Sequence, residues 1–154
     1  IRDRSCNNLY WYLTHACSPV TDGLMPYREA DLLRNILDRA DAALKEGKNQ
    51  ATLRFGHESC LLPLVALLEL NHYGESYPDV EKLSEQWRAY DIFPMASNVQ
   101  FVFFHKKGSN DVLVKVLLNE KEAKLPVKTD VAPYYHWKDV ESYYREKLDK
   151  YQHI

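Results

Sequence analysis

The sequence contains no apolar run long enough to cross a membrane and no cysteine pattern typical of a metal site. Its longest apolar run extends from Cys60 to Leu68, is interrupted by Pro63 and falls short of the ~20 residues that a membrane-spanning helix needs. The three cysteines, at positions 6, 17 and 60, form neither a CxxC pair nor a zinc-ligand spacing. A disulfide between Cys6 and Cys17 is possible, but the sequence does not decide whether it forms. The odd number of cysteines says nothing about the cellular compartment.

The chain also lacks a strong excess of either charge. Its 20 Lys and Arg against 22 Asp and Glu give a formal net charge of −2, so there is no reason to expect a nucleic-acid partner or an anionic membrane surface. No signal peptide is visible, and a start at Ile1 is typical of a processed chain, a trimmed chain or a fragment. Because no repeat, low-complexity tract or linker divides residues 1–154, we expect a single unit with its own core.

The apolar pattern of the first half predicts alternating helices and strands. Residues 26–46 carry apolar side chains at three- and four-residue spacing, which predicts a helix that ends at Gly47. A short strand is predicted at 51–55, followed by a helix at 59–71 that is apolar on nearly all sides and has Ser59 as its N-cap. A strand that leads into a capped, buried helix is typical of α/β domains.

The second half is predicted to form a hairpin and a last helix. A polar helix at 80–90 precedes two strands at 98–105 and 111–118, which are joined by a polar turn. A loop over 120–133 then leads to an amphipathic helix at 137–151.

The segment best suited to chemistry is residues 53–64, LRFGHESCLLPL. His57 and Glu58 lie between a predicted strand end and a helix N-terminus, which is where open α/β sheets bind ligands. Free N–H groups there favour an anion such as phosphate, to which His57 could donate a hydrogen bond. A protonated Glu58 could give its proton to a leaving oxygen, and Gly56 would let the backbone approach the ligand. A solvated turn with a carboxylate at the helix dipole is about equally favoured by these residues alone.

The same segment resembles the second signature of the histidine acid phosphatase (branch 2) family, most closely the multiple inositol polyphosphate phosphatases and their bacterial relatives. The resemblance extends in weak form over residues 25–150 and is specific at 54–64 and 93–99. It implies an α/β fold in which a mixed sheet is flanked by helices, as in phosphoglycerate mutase and the acid phosphatases. This chain would be its C-terminal part, incomplete without an N-terminal part.

The resemblance also implies roles for individual residues. In the family, a His of an N-terminal Arg-His-Gly motif attacks phosphorus, and a second His stabilises the charge that develops there. His57 would be that second His, and Glu58 would protonate the departing alkoxide. The further residues expected at the substrate are Arg54, Gly56, Ser59 and Asn98. No metal or organic cofactor is implied.

Two features depart from the family pattern. No Arg-His-Gly occurs in the 154 residues, so these residues alone are expected not to hydrolyse phosphate esters by this mechanism. Glu58 stands where most members have Asp, while some members have Glu two residues after the His. The extra methylene moves the carboxyl by roughly 1.5 Å, and a displacement of that order can cost about 100-fold in rate.

Three functions stay open at this point. The first is a phosphomonoesterase acting on inositol polyphosphates such as phytate, and the second is a non-catalytic domain that binds phosphate or inositol phosphates. The third is a stable fragment with no function of its own. The expected partners are a phosphorylated small molecule and the N-terminal part or a second copy of the chain, with neither nucleic acid nor membrane. The resemblance implies a periplasmic or secreted location.

Some of these residues also have plain structural interpretations. Strand alternation places Arg54 opposite Leu53 and Phe55, which favours an outward or ion-paired side chain at least as much as a substrate contact. Asn98 could cap the turn before a strand, and Cys60 would be a small core residue on the buried helix.

Overall fold

The computed structural model describes residues 4–9, 11, 18, 21–77, 79 and 81–151. The side chains of Cys6 and Cys17 lie outside what is described, so the question of a disulfide between them stays undecided. The elements, in chain order, are α1 (Arg4–Leu9), a 3₁₀ helix (Met25–Glu29), α2 (Ala30–Glu46), α3 (Glu58–Leu67), α4 (Leu83–Gln86), α5 (Ala89–Ile92), β1 (Val99–His105), β2 (Val112–Leu118), β3 (Lys121–Glu122), β4 (Tyr135–His136) and α6 (Trp137–Tyr151).

The helix expected at residues 26–46 is confirmed, with its first turn wound as a 3₁₀ helix. Leu33, Leu37 and Ala40 follow each other at four- and three-residue spacing and are all buried, so α2 presents one apolar face to the core. The helix ends where expected because Gly47 takes the left-handed conformation, with φ 64°.

The buried helix α3 is confirmed, but its ends differ from the prediction. His57, in an extended conformation, is the N-cap, so the prediction of Ser59 was wrong by two residues. The helix also stops at Leu67 instead of continuing to residue 71, because Glu69 and Asn71 take positive φ angles of 53° and 55°. Every residue from 62 to 67 is buried, as expected of a helix that is apolar on nearly all sides.

The predicted β-hairpin is confirmed. β1 and β2 pair antiparallel over their whole length, from Val99 opposite Leu118 to His105 opposite Val112. β2 also pairs antiparallel with β3 and with β4, so all strand pairs in the described part of the chain are antiparallel. Helices and this sheet together confirm the α/β class.

Two predicted elements are absent or broken. Residues 51–57 lie in no helix or strand and are exposed, so the strand expected at 51–55 is not formed. An extended segment without a neighbouring strand gains no ladder hydrogen bonds, and here no described strand lies beside it. The helix expected at 80–90 is split into α4 and α5 by Trp87 and Arg88, which are extended, and the Trp87 side chain is fully buried.

Helix α6 closes the core and matches its predicted bounds. Trp137, Val140, Tyr144 and Leu148 form its buried face. The Trp137 ring packs edge-on against Phe103 of β1 at 4.9 Å between ring centroids. α6 therefore packs on the sheet. No helix in the described ranges is long and apolar enough to cross a membrane.

An ion-pair network joins α6 to α2. The Arg145 guanidinium contacts carboxylate oxygens of Asp38 and Asp41 at 2.9 Å each and of Glu141 at 2.7 Å. The Trp137 indole N–H also donates to Asp41 Oδ1 at 2.8 Å. Hydrogen bonds from Trp137 and Arg145 outweigh the opposing effect of burial and lower the pKa of Asp41, so this carboxylate stays charged as an anchor for α6.

Replacing Leu37 with Ala should destabilise the protein by about 2–5 kcal/mol, because it removes a fully buried side chain and leaves a cavity. Urea unfolding measures the loss. The matched control is Leu53→Ala, which truncates a leucine that is 76% exposed and should change stability little. Equal losses in the two variants would contradict this description of the core.

Candidate functional site

The candidate site is the N-terminus of α3. The His57 carbonyl accepts the first helical hydrogen bonds, from Cys60 N at 3.0 Å and Leu61 N at 3.1 Å. The His57 side chain makes no capping hydrogen bond, and the N–H groups of Glu58 and Ser59 have no intrahelical acceptor, as in any α-helix. This end of the helix therefore presents backbone donors and the positive end of the helix dipole.

The two side chains that could bind phosphate or transfer a proton are open to solvent. His57 and Glu58 are exposed, whereas Ser59 and Cys60 are half-buried and the helix becomes buried from Leu62 onward. The helix axis thus runs from the surface into the core. An anion could approach the first turn with little desolvation of the protein, and His57 and Glu58 could both reach it.

The opposite end of α3 is held by α6. Tyr144 Oη donates to the Leu68 carbonyl at 2.8 Å, and Lys147 Nζ donates to the Leu67 carbonyl at 2.7 Å. These bonds satisfy carbonyls that the end of a helix otherwise leaves free, and a cation is favourable at the negative end of the dipole. Burial raises the pKa of Tyr144 well above its ordinary value, so its hydroxyl remains a donor.

Glu69 adds to these contacts between α6 and the inner end of α3. Its carboxylate lies 3.3 Å from Lys147 Nζ and accepts a hydrogen bond from the Tyr143 hydroxyl. Burial, together with that hydrogen bond, raises the pKa of Tyr143. Polar side chains of the last helix thus bind the inner end of α3, while the 3₁₀ helix and α5 pack along it. Apolar periodicity predicted the last helix, but nothing in the sequence indicated which carbonyls its polar side chains would bind.

The other predicted site residues are placed as follows. Arg54 donates through Nη2 to the Asn35 side-chain oxygen at 2.7 Å, so in this structure it ties the exposed segment to α2. Gly56 has neither a positive φ nor any atom within 4 Å of where a Cβ would lie, so its local geometry does not require glycine. Cys60 is a free, half-buried thiol on the first turns of α3, less buried than a core residue.

Asn98 lies at the base of the hairpin. Its backbone N–H donates to Asn119 Oδ1 at 3.0 Å, and its side chain bonds the Ala96 carbonyl at 3.1 Å and the Gln100 amide at 2.9 Å. These contacts support its structural interpretation, a residue that closes the turn before a strand. Its contact with a substrate stays a prediction.

The candidate site is an open surface, not a cavity. A depression of ≈ 380 Å³ elsewhere on the surface is lined by Asp41, Leu44, Lys45, Trp137 and Glu141 and so lies between α2 and α6. None of the predicted site residues lines it. Within the described ranges, no group of three or more His, Cys, Asp or Glu side chains is arranged to hold a metal ion.

The structure shows an α/β domain in which an exposed His-Glu pair lies at a helix N-terminus whose backbone donors could bind an anion. Residues 25–119 match the sequence model of the histidine phosphatase superfamily (branch 2), and the chain belongs to this family. It is 28% identical over 134 residues to human multiple inositol polyphosphate phosphatase 1, covering 79% of this chain and 27% of that protein. The Gallus gallus protein of the same name is 27% identical over 135 residues, covering 76% and 28%.

Solved structures give the same result. The crystal structure of Bifidobacterium longum multiple inositol polyphosphate phosphatase in complex with inositol hexasulfate matches with a TM-score of 0.63 and 28% identity, over 74% of this chain and 25% of that one. The apo form matches with a TM-score of 0.73 over 88% and 29%, at 24% identity, and supports the fold alone. The chain therefore spans little more than a quarter of the length of these relatives.

Replacing Lys147 with Met should lower the free energy of unfolding by about 1–3 kcal/mol. The Lys147 side chain is only 16% exposed. The change removes the charged donor that it presents to the Leu67 carbonyl and to Glu69. Denaturant unfolding measures the loss. Lys150→Met is the matched control, because Lys150 is 74% exposed and pairs with Glu146 on the helix surface, so its loss should be much smaller. Indistinguishable variants would show that α3 is not anchored in this way.

Proposed function

We propose that this chain is the C-terminal portion of a phosphomonoesterase that acts on inositol polyphosphates such as phytate. It supplies His57 as a phosphate ligand and Glu58 as the proton donor. The nucleophilic His belongs to a further, N-terminal part of the complete domain. The observation that carries the proposal is the exposed, uncapped N-terminus of α3, with His57 directly before it and Glu58 as its first residue. Membership of the family and the relatives named above support the substrate class.

The proposed reaction has two displacements at phosphorus. The nucleophilic His forms a bond to phosphorus while the bond to the inositol oxygen breaks, and Glu58 passes its proton to that oxygen. Water then attacks the phosphohistidine, Glu58 accepts a proton from it, and inorganic phosphate leaves. His57 and the first N–H groups of α3 would donate hydrogen bonds to the phosphoryl oxygens in both steps, where negative charge increases in the transition state.

The exposed segment before the site fits a domain that is completed by a further, N-terminal part. Leu53 and Phe55 are 76% and 94% exposed, an unfavourable state for side chains of this size. We propose that residues 51–56 become a paired strand when the N-terminal part is present, which would cover these side chains and fix the backbone that leads to His57. A periplasmic or secreted location is part of the same proposal and follows from the resemblance alone.

A second candidate is a non-catalytic domain that binds phosphate or inositol phosphates. The observation that favours it is the Glu at position 58, since its longer side chain places the carboxyl differently from the Asp of most family members. Such a domain would use the α3 N-terminus as an anion site, and Glu58 would act as a neighbouring polar group.

The phosphatase proposal predicts that His57→Ala in the longest encoded form of the protein lowers phosphate release from phytate by at least about 100-fold, because a donor to the phosphoryl oxygens is lost. His105→Ala is the control. His105 contacts the Ser109 carbonyl at the far end of β1, and its loss should leave activity near that of the unsubstituted protein. Equal activity in the His57 and His105 variants would contradict the assignment of His57.

Glu58→Gln separates the two candidates. If Glu58 is the proton donor, this variant should lose more activity on phytate, whose alkoxide needs a proton, than on p-nitrophenyl phosphate, whose leaving group departs without one. Equal losses on both substrates would remove Glu58 from the acid role. A full-length protein that binds phytate and releases no phosphate would favour the binding domain.

Pairing of residues 51–56 has its own test by amide hydrogen exchange. These amides should exchange rapidly in the 154-residue chain and become strongly protected in the longest encoded form, since a strand ladder shields its N–H groups. The helical amides of residues 33–43 serve as an internal control that is protected in both. Rapid exchange at 51–56 in both forms would contradict the pairing without bearing on His57.

A further inference from the structure

The side chain of His136 is held between two carboxylates, and none of these three residues belongs to the proposed phosphate site. Its Nδ1 lies 3.1 and 3.0 Å from the two side-chain oxygens of Asp111. Its Nε2 lies 2.9 Å from Asp130 Oδ1. Both ring nitrogens therefore face an oxygen that carries negative charge.

A protonated ring fits this geometry better than a neutral one. A carboxylate oxygen only accepts hydrogen bonds, and a neutral imidazole has a single N–H, so it could satisfy one of the two carboxylates and would turn a lone pair toward the other. The imidazolium ion has two N–H groups and satisfies both. Consistent with this, hydrogen bonds to Asp111 and Asp130 raise the pKa of His136, and the bond to His136 lowers the pKa of Asp130.

The three residues come from separate parts of the chain. Asp111 directly precedes β2, His136 is the last residue of β4 and directly precedes α6, and Asp130 lies in the connection between β3 and β4. At the near end of this connection, Leu125 N donates to the Tyr135 hydroxyl at 3.0 Å. In the middle of the connection, Thr129 Oγ1 donates at 2.8 Å to the carbonyl of Tyr134 at its far end. His136 is what ties the Asp130 side chain to the sheet.

Other titratable groups lie on the elements next to His136, and two of them, Lys115 and His105, have partners of their own. On β2, Lys115 pairs with Glu122 at 3.2 Å. On β1, the His105 ring contacts the Ser109 carbonyl at 2.8 Å. On α6, Lys138 and Asp139 are exposed in the first turn. Asp111 and Asp130 are the two carboxylates that contact the His136 ring directly.

We propose that His136 is a proton-controlled latch. In its protonated form it holds residues 126–134 against the start of β2, and in its neutral form it releases the side chain of Asp130. Neutral His136 would keep one hydrogen bond, to the carboxylate of Asp111 that it already contacts through two oxygens, and lose the single contact to Asp130. The latch is independent of the phosphatase proposal, and either could fail without the other.

The pH dependence has a defined sign. Because the pKa of His136 is raised above the ordinary value of 6.5 in the folded state, the contribution of the latch is fully present below pH 6.5. It is lost as the pH rises through the raised value. The connection is therefore closed in acid and opens on the alkaline side.

The test combines two exchange measurements by mass spectrometry on the longest encoded form of the protein. Exchange of the histidine C2 hydrogen against pH gives the titration midpoint of His136, which should lie above 6.5. Amide exchange of residues 126–134, corrected for its intrinsic pH dependence, should rise several-fold across that same midpoint.

Two variants make the test decisive. Asp130→Asn changes a side chain that is 83% exposed, so the fold should survive. It should lower the His136 midpoint and remove the pH step in residues 126–134. His105→Gln, the control, should leave both unchanged. A His136 midpoint at or below 6.5, or a step that persists in the Asp130 variant, would overturn the proposal.

Discussion

The arrangement of this domain depends on how α3 is held. Its apolar residues from 62 to 67 are buried, which fixes the helix in the core. Tyr144 and Lys147 of α6 satisfy the carbonyls of Leu68 and Leu67 at its inner end, where free carbonyls would be costly without water. With the inner end anchored, the outer end is presented at the surface with its first N–H groups free. A helix held in this way offers an anion a fixed set of donors that need no rearrangement on binding.

Helix α6 is fixed in turn by elements on both sides. Its Arg145 binds carboxylates of α2, and its Trp137 packs on Phe103 of the hairpin. The last helix therefore links α2, the sheet and α3, although none of its residues lies at the candidate site. This scaffold leaves the segment 51–57 uncovered. In relatives more than three times as long as the matched region, the rest of the domain is available to cover such a segment.

The sequence predicted those elements whose pattern is local. The α2 face, the hairpin and the bounds of α6 follow from spacing of apolar residues and from Gly47. The strand at 51–55 was wrong for this chain because a strand needs a neighbour, and no local pattern reports whether one is present. The end of α3 was missed because Glu69 and Asn71 are non-glycine residues in a left-handed conformation. The His57-Glu58 pair was found through its position and its family resemblance, whereas the anchor at Lys147 and Tyr144 depends on tertiary contacts alone.

The proposed anion site at α3 is tested most directly by a crystal structure of the longest encoded form with inositol hexasulfate, the ligand in the complex of the Bifidobacterium longum relative. We expect a sulfate group at the start of α3, with one oxygen within about 3 Å of a His57 ring nitrogen and another facing the N–H groups of Glu58 and Ser59. A ligand bound in full occupancy elsewhere, with His57 and the first turn of α3 in contact only with solvent, would contradict the assignment.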